Sequence, residues 1–205
     1  MAFNLAGVDH LVYVVPDLEL GIDAMESLLG VRASPGGSHP GWGTRNALLA
    51  LGATCYLEII GPDPQQTDYP MPRPFGVDEQ AAMRLVTWAA KWTELENTGP
   101  ARQGQVIAAS REQADGSVLR WHLTDPATVV GDGLVPFLID WGESPHPAEI
   151  ATTGARLESM YFEHPAPKKV SHWMAELGLD ADICEAAKPA IVATITGPRG
   201  TVELR

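Results

Sequence analysis

The chain has 205 residues, 45% hydrophobic and 20% charged, a balance that suits one large globular domain or two small ones and excludes a disordered chain. Lys and Arg total 14 against 26 Asp and Glu, a formal net charge of −12, which argues against a basic groove for nucleic acid and against anionic membrane surfaces. An anionic small substrate therefore needs arginine focused in one pocket.

Cys55 and Cys184 form no CxxC pair and read as free thiols of a reducing compartment. No apolar run reaches the ~18 residues that cross a bilayer. The start Met1-Ala2-Phe3-Asn4-Leu5 lacks a basic flank and apolar block, so the expected location is cytoplasmic.

Residues 8–15 are apolar and β-branched and read as a strand. Asp17 then stands as a helix N-cap, Leu18, Ile22, Met25 and Leu29 recur at helical spacing, and Gly30 occupies a helix stop. Residues 31–34 read as a short strand, 35–43 as a Gly/Pro-rich loop able to act as a lid, and 46–51 and 54–60 as two further strands. The first 62 residues thus run β-α-β-β-β.

Residues 62–75 hold five prolines and read as a linker. A looser copy of the module follows over 78–142. Residues 84–91 form its first strand, although 81–92 fit a helix equally well. Residues 106–114 and 117–123 make a hairpin on Asp115-Gly116, and 134–141 make a last strand. A third, partial βαββ module is expected over 151–205: a strand at 156–163, a helix at 167–177 that Gly178 stops, and a terminal hairpin of 190–196 and 201–205. Counting supports the repeat. His10 precedes Gly30 by 20 residues and Glu158 precedes Gly178 by 20; Glu58 follows Gly30 by 28 and Glu203 follows Gly178 by 25.

Val8-Asp9-His10-Leu11, Gly30-Val31, the run from His39-Pro40-Gly41-Trp42 to Leu48-Leu49, and Tyr56-Leu57-Glu58-Ile59-Ile60 carry a family likeness, joined by Val135-Pro136-Phe137-Leu138-Ile139-Asp140-Trp141. On these residues the chain resembles the vicinal-oxygen-chelate (glyoxalase/bleomycin resistance/dioxygenase) superfamily, and more narrowly its glyoxalase-like domain proteins. The resemblance implies an α+β fold of repeated βαβββ modules, whose curled mixed β-sheets enclose a cleft with the helices packed outside. In that superfamily the cleft usually holds a divalent metal, bound at the start of each module's first strand and on its last strand.

Carried over, the matching ligands are His10 and Glu58, and by register Glu158 and Glu203 of the last module; Zn, Ni, Mn and Fe are the candidate ions. One histidine with three glutamates departs from the usual set, and the middle module offers only Thr87 and Ile139. The plainer alternatives are that Glu58 pairs with Arg45 or His10, and that Glu158 and Glu203 are solvent-face charges. Glu58 or His39 is the expected proton carrier, with His39 otherwise an exposed turn residue. Arg45 and Asn46 are candidates to orient a substrate carboxylate or carbonyl, and Trp42 to wall it; otherwise they close a hairpin and fill the core. His122, His146, His164 and His172 read as structural.

The expected function is a glyoxalase-like enzyme acting on a small oxygenated metabolite, by metal-dependent lyase, isomerase or dioxygenase chemistry. The alternative is a metal-free protein of the same fold that binds or sequesters a small molecule. A small-molecule partner is expected, with a homodimer left open.

Overall fold

The computed structural model describes residues 3–69, 72–79, 82–95, 100–112 and 118–205, with Ala101 and Glu112 described by backbone alone. The first unit is β1 (Val8–Val14), α1 (Leu18–Leu29), β2 (Ser34–His39), β3 (Thr44–Gly52) and β4 (Cys55–Pro62). The local signals work as expected at α1. The Asp17 carboxylate accepts from Leu20 N at 3.0 Å, and Gly30 ends the helix at a left-handed φ of 79° that other residues resist.

The second unit is β5 (Arg84–Lys91), β6 (Val106–Glu112), β7 (Val118–Thr124) and β8 (Phe137–Asp140). Residues 84–91 are therefore strand, not helix. The β8 strand is shorter than expected because a 3-10 turn at Gly131–Gly133, with left-handed Gly131 and Gly133, diverts the chain before Phe137. The expected Asp115-Gly116 turn lies outside the described residues.

The two units build one eight-stranded mixed sheet, ordered β2-β3-β4-β1-β5-β8-β7-β6. Each half pairs its first strand parallel to its last, and β1 joins β5 antiparallel at the centre. The sheet curls until it is nearly barrel-shaped, which brings its edge strands together: a Cβ on Gly37 of β2 would sit 3.1 Å from Arg111 Cδ of β6. This corrects the reading of residues 35–43 as a loop. Ser34–His39 is an edge strand laddered to β3, and only the tight turn around Pro40–Gly43 remains irregular.

A second sheet is built from β9 (Arg156–His164), β10 (Ile183–Glu185), β11 (Ala190–Gly197) and β12 (Gly200–Leu204), with α2 (Pro167–Ala175) following β9. Its order, β10-β9-β11-β12, differs from the first unit. The last strand, β12, pairs only with β11 and is separated by it from β9, whereas β4 lies directly beside β1.

Alternation on the central strands divides two apolar layers. Leu11, Leu57, Ile59 and Trp88 face α1 and the small sheet, packing with Met25, Leu29, Met160, Phe162 and Ile195. Val12, Val14, Ile60, Ala89, Leu123, Phe137 and Ile139 line the inside of the curl. Apolar demand on both faces explains why these strands read as continuous hydrophobic runs.

Candidate functional site

The curl encloses a cleft of about 320 Å³, lined by residues of both halves of the large sheet. Aromatic walls come from Trp42, Tyr56, Phe75, Trp121, Phe137 and Trp141. The polar groups are His10, His39, Asn46, Glu58, Ser110 and Arg111.

The parallel pairing of β1 with β4 sets His10 beside Tyr56 and Val12 beside Glu58, so His10 and Glu58 share the concave face. Glu58 lies between two imidazoles: His10 Nε2 is 3.8 Å from Oε2, and His39 Nε2 is 3.8 Å from Oε1. Both distances exceed a direct hydrogen bond, so both Nε2 atoms and the carboxylate still address the cleft. Asn46, paired across from Ile60 on β3, donates from Nδ2 to Glu58 Oε1 at 2.5 Å. Its Oδ1 accepts from Arg111 Nη1 at 3.3 Å.

Behind His10 stands Asp9, buried to 1% exposure. Strict alternation would turn its side chain to the opposite face. A bulge between the Val8–Ala90 and His10–Ala89 pairs inserts Asp9 as an extra residue and re-aims it. Its carboxylate accepts from His10 Nδ1 at 2.8 Å, from His146 Nε2 at 3.1 Å and from Trp141 Nε1 at 3.2 Å. His146 Nδ1 in turn accepts from Ala148 N at 3.1 Å, so the network assigns the His146 proton to Nε2. The same logic puts a proton on His10 Nδ1 and turns its Nε2 toward Glu58.

Burial works to raise the Asp9 carboxyl, but the hydrogen bonds from His10 and His146 outweigh it and hold the group down at about 2. Burial lowers the His39 imidazole, as do the nearby Arg111 and His10, against the opposing pull of Glu58 and Asp63, so His39 is neutral near pH 7. Burial and the carboxylates of Asp9 and Glu58 push the Tyr56 phenol far up, and it stays protonated where it stacks on His10, ring centroids 4.6 Å apart.

His10, Glu58, His39, Asn46 and Trp42 thus meet in one cleft. Arg45 does not line it and lies near Asp63 instead. The expected third and fourth metal ligands are elsewhere too. Glu158 is on β9, gripped by Arg156 at 2.6 Å, and Glu203 is on β12, exposed and held by Arg205 at 3.0 Å. The register count that matched them to His10 and Glu58 fails because β11 separates β9 from β12. In the second half the inward positions are Ala89, Phe137 and Ile139, which bind no metal. Among the described residues no group of three His, Cys, Asp or Glu side chains could hold a metal ion. The donor set of this chain therefore does not fit the four-ligand metal centre that the resemblance implies.

Sequence reasoning missed Asp9, His146, Arg111, Trp121 and Trp141. For His146 a signal was present: the string His146-Pro147-Ala148-Glu149 spells a capping box, which fixes its ring.

A curled mixed sheet of two matching four-stranded halves around a cleft, the first of them βαβββ with its helix packed outside, defines a glyoxalase-type α+β protein. The chain belongs to the glyoxalase-like domain family, whose pattern matches residues 8–178. Among solved structures it is similar to methylmalonyl-CoA epimerase from Mycobacterium tuberculosis, with a TM-score of 0.45 and 18% identity over 66% of this chain and 88% of that one. It is also similar to a variant of the Streptomyces coelicolor methylmalonyl-CoA epimerase in complex with 2-nitronate-propionyl-CoA, with a TM-score of 0.44 and 15% identity over 68% and 97%. A hypothetical protein from Bacillus halodurans gives 0.43 and 13% over 67% and 96%. No curated protein matches the sequence.

Proposed function

We propose that the protein is an enzyme that moves a proton on a small oxygenated metabolite, in isomerase- or lyase-type chemistry. The observation that carries this reading is the Glu58 carboxylate set 3.8 Å from each of two imidazole Nε2 atoms inside an aromatic-walled cleft. A cleft built only to sequester a ligand needs its apolar walls. It does not need three proton-carrying groups converging on one point, one of them backed by a buried, ionised Asp9.

In this reading His10 Nε2 takes a proton from a carbon next to a carbonyl. Asp9 holds the ring and stabilises the imidazolium that forms. The imidazolium then gives its proton back to the carbon, or Glu58 or neutral His39 accepts it and relays it to the oxygen, so that the His10 ring ends the cycle as a base. Tyr56, stacked on His10, excludes water from the base. The apolar lining lowers the local dielectric, which strengthens each of these charge interactions.

Deuterium exchange tests the proposal. Phenylpyruvate and phenylacetone each carry an activated methylene beside a carbonyl. Wild-type protein in D2O should accelerate exchange of that methylene in at least one of them, followed by proton NMR. His10→Ala and Glu58→Gln should each reduce the acceleration about 100-fold or more. Exchange at the buffer rate with both compounds, or acceleration that survives His10→Ala, would count against the proposal.

A further inference from the structure

Arg111 is the only arginine or lysine among the described residues that line the cleft. It is 8% exposed, in a chain whose formal net charge is −12. Several surface arginines of this protein meet carboxylates: Arg32 reaches Asp23 and Glu26, Arg102 reaches Glu176, and Arg205 reaches Glu163. Arg111 is different. Among the described residues its hydrogen bond goes to the neutral Asn46 Oδ1, and its buried Nε has no partner there. A buried cation with no carboxylate hydrogen-bonded to it among the described residues is costly, and the cost is recovered when a ligand supplies the negative charge directly.

The surroundings hold the guanidinium in place for that purpose. Gly37 leaves room for the Arg111 stem, since a Cβ there would come within 3.1 Å of Cδ. Asn46 fixes one end of the fork, and through its own amide it holds Glu58, tying the cation to the proton-transfer cluster. Ser110 lines the same cavity on the same strand.

We infer that the cleft takes a small monocarboxylate with an apolar or aromatic body: the carboxylate seats on Arg111, and the body lies against the tryptophan and phenylalanine walls. The inference deepens the proposed function by naming its substrate class. It rests on that reading for the chemistry but not for the binding. A planar guanidinium suits a carboxylate because two parallel N–H donors match its two oxygens.

Three carboxylates of growing apolar body serve as probes: acetate, benzoate and phenylpyruvate. Phenylacetone is the neutral match for the last. Binding is followed by the fluorescence of the wall tryptophans. Wild type should bind phenylpyruvate more tightly than benzoate, benzoate more tightly than acetate, and phenylacetone weakly. Arg111→Gln should lose about 10- to 100-fold in phenylpyruvate affinity while leaving phenylacetone unchanged. Arg111→Lys, which keeps the charge but not the fork, should fall between. Thermal melting of both variants checks that they fold. Equal affinity for phenylpyruvate and phenylacetone, an unaltered affinity in folded Arg111→Gln, or no saturation by any of the three carboxylates would overturn the inference. Arg111-dependent binding with no His10-dependent exchange would leave the inference standing and overturn the proposed function instead.

Discussion

One carboxylate organises the site. Asp9 takes hydrogen bonds from His10, Trp141 and His146, side chains that come from the start of β1, the end of the second unit and the segment that follows it. Its folded-state value of about 2 lies below the ordinary 3.8, so the unfolded chain binds the extra proton. Stability from this group is complete above the unfolded value and is lost as pH falls through the folded one. The difference corresponds to about 2 kcal/mol. Asp9→Asn should therefore be destabilised at neutral pH, and the gap from wild type should narrow by about that amount between pH 4 and pH 2. Urea unfolding at several pH values measures it. A gap that stays constant with pH would mean that Asp9 is not held ionised by these donors. Such a residue is hard to read from sequence. His10 and Glu58 are visible because alternation and the family strings agree on their face. Asp9 sits one residue away, on the wrong face by alternation, and only a bulge that no local pattern encodes turns it around.

At the scale of elements, most of the architecture is legible because its signals are local. Asp17 and Gly30 cap α1 within a residue of expectation, and the apolar runs of β1, β3, β4 and β11 mark themselves, while β5 reads equally as helix from its sequence. The β2 strand is the exception, and its glycines explain why. Two glycines and a proline in Ser34–His39 spell a loop by composition. They are in the strand because the cleft side chains need the space: a Cβ on Gly36 would lie 2.0 Å from Asn46 Oδ1. Asn46 cannot easily yield, since Glu58 and Arg111 hold its two ends. Gly36→Ala should therefore cost about 1–3 kcal/mol and weaken phenylpyruvate binding along with it. Gly52→Ala is the control, because a Cβ there meets nothing within 4 Å, and its stability should be close to wild type. Equal melting temperatures for the two variants would contradict the packing argument. Arg111 was illegible for a related reason. On its own strand, Ser110-Arg111-Glu112 reads as solvent-face polarity, and only closure of the sheet carries Arg111 inside.

For the whole molecule, the small sheet is a buttress for the cleft. The strands that present His10 and Ala89 inward turn Leu11 and Trp88 outward, and those residues need cover. Phe162 of β9 supplies it, with its ring centroid 5.8 Å from Trp88 and Phe3 set edge-on to both. Trp88 also donates from Nε1 to Leu134 O at 2.7 Å, which anchors the approach to β8 and hence the Phe137 and Ile139 wall. Phe162 is fully buried, so Phe162→Ala removes apolar contact and leaves a cavity, at about 3–5 kcal/mol. The loss should not stay in the small sheet. Because Trp88 of the large sheet packs directly on Phe162 of the small one, the cleft and its buttress should unfold together. Near-ultraviolet dichroism carries the cleft tryptophans Trp42, Trp121 and Trp141, isolated by difference against their Phe variants, and far-ultraviolet dichroism reports the strands of both sheets. In Phe162→Ala the two curves should coincide at a lowered midpoint. A cleft signal that kept the wild-type midpoint while the strand signal moved down would mean that the large sheet stands alone, and that the small sheet is an appendage rather than a support.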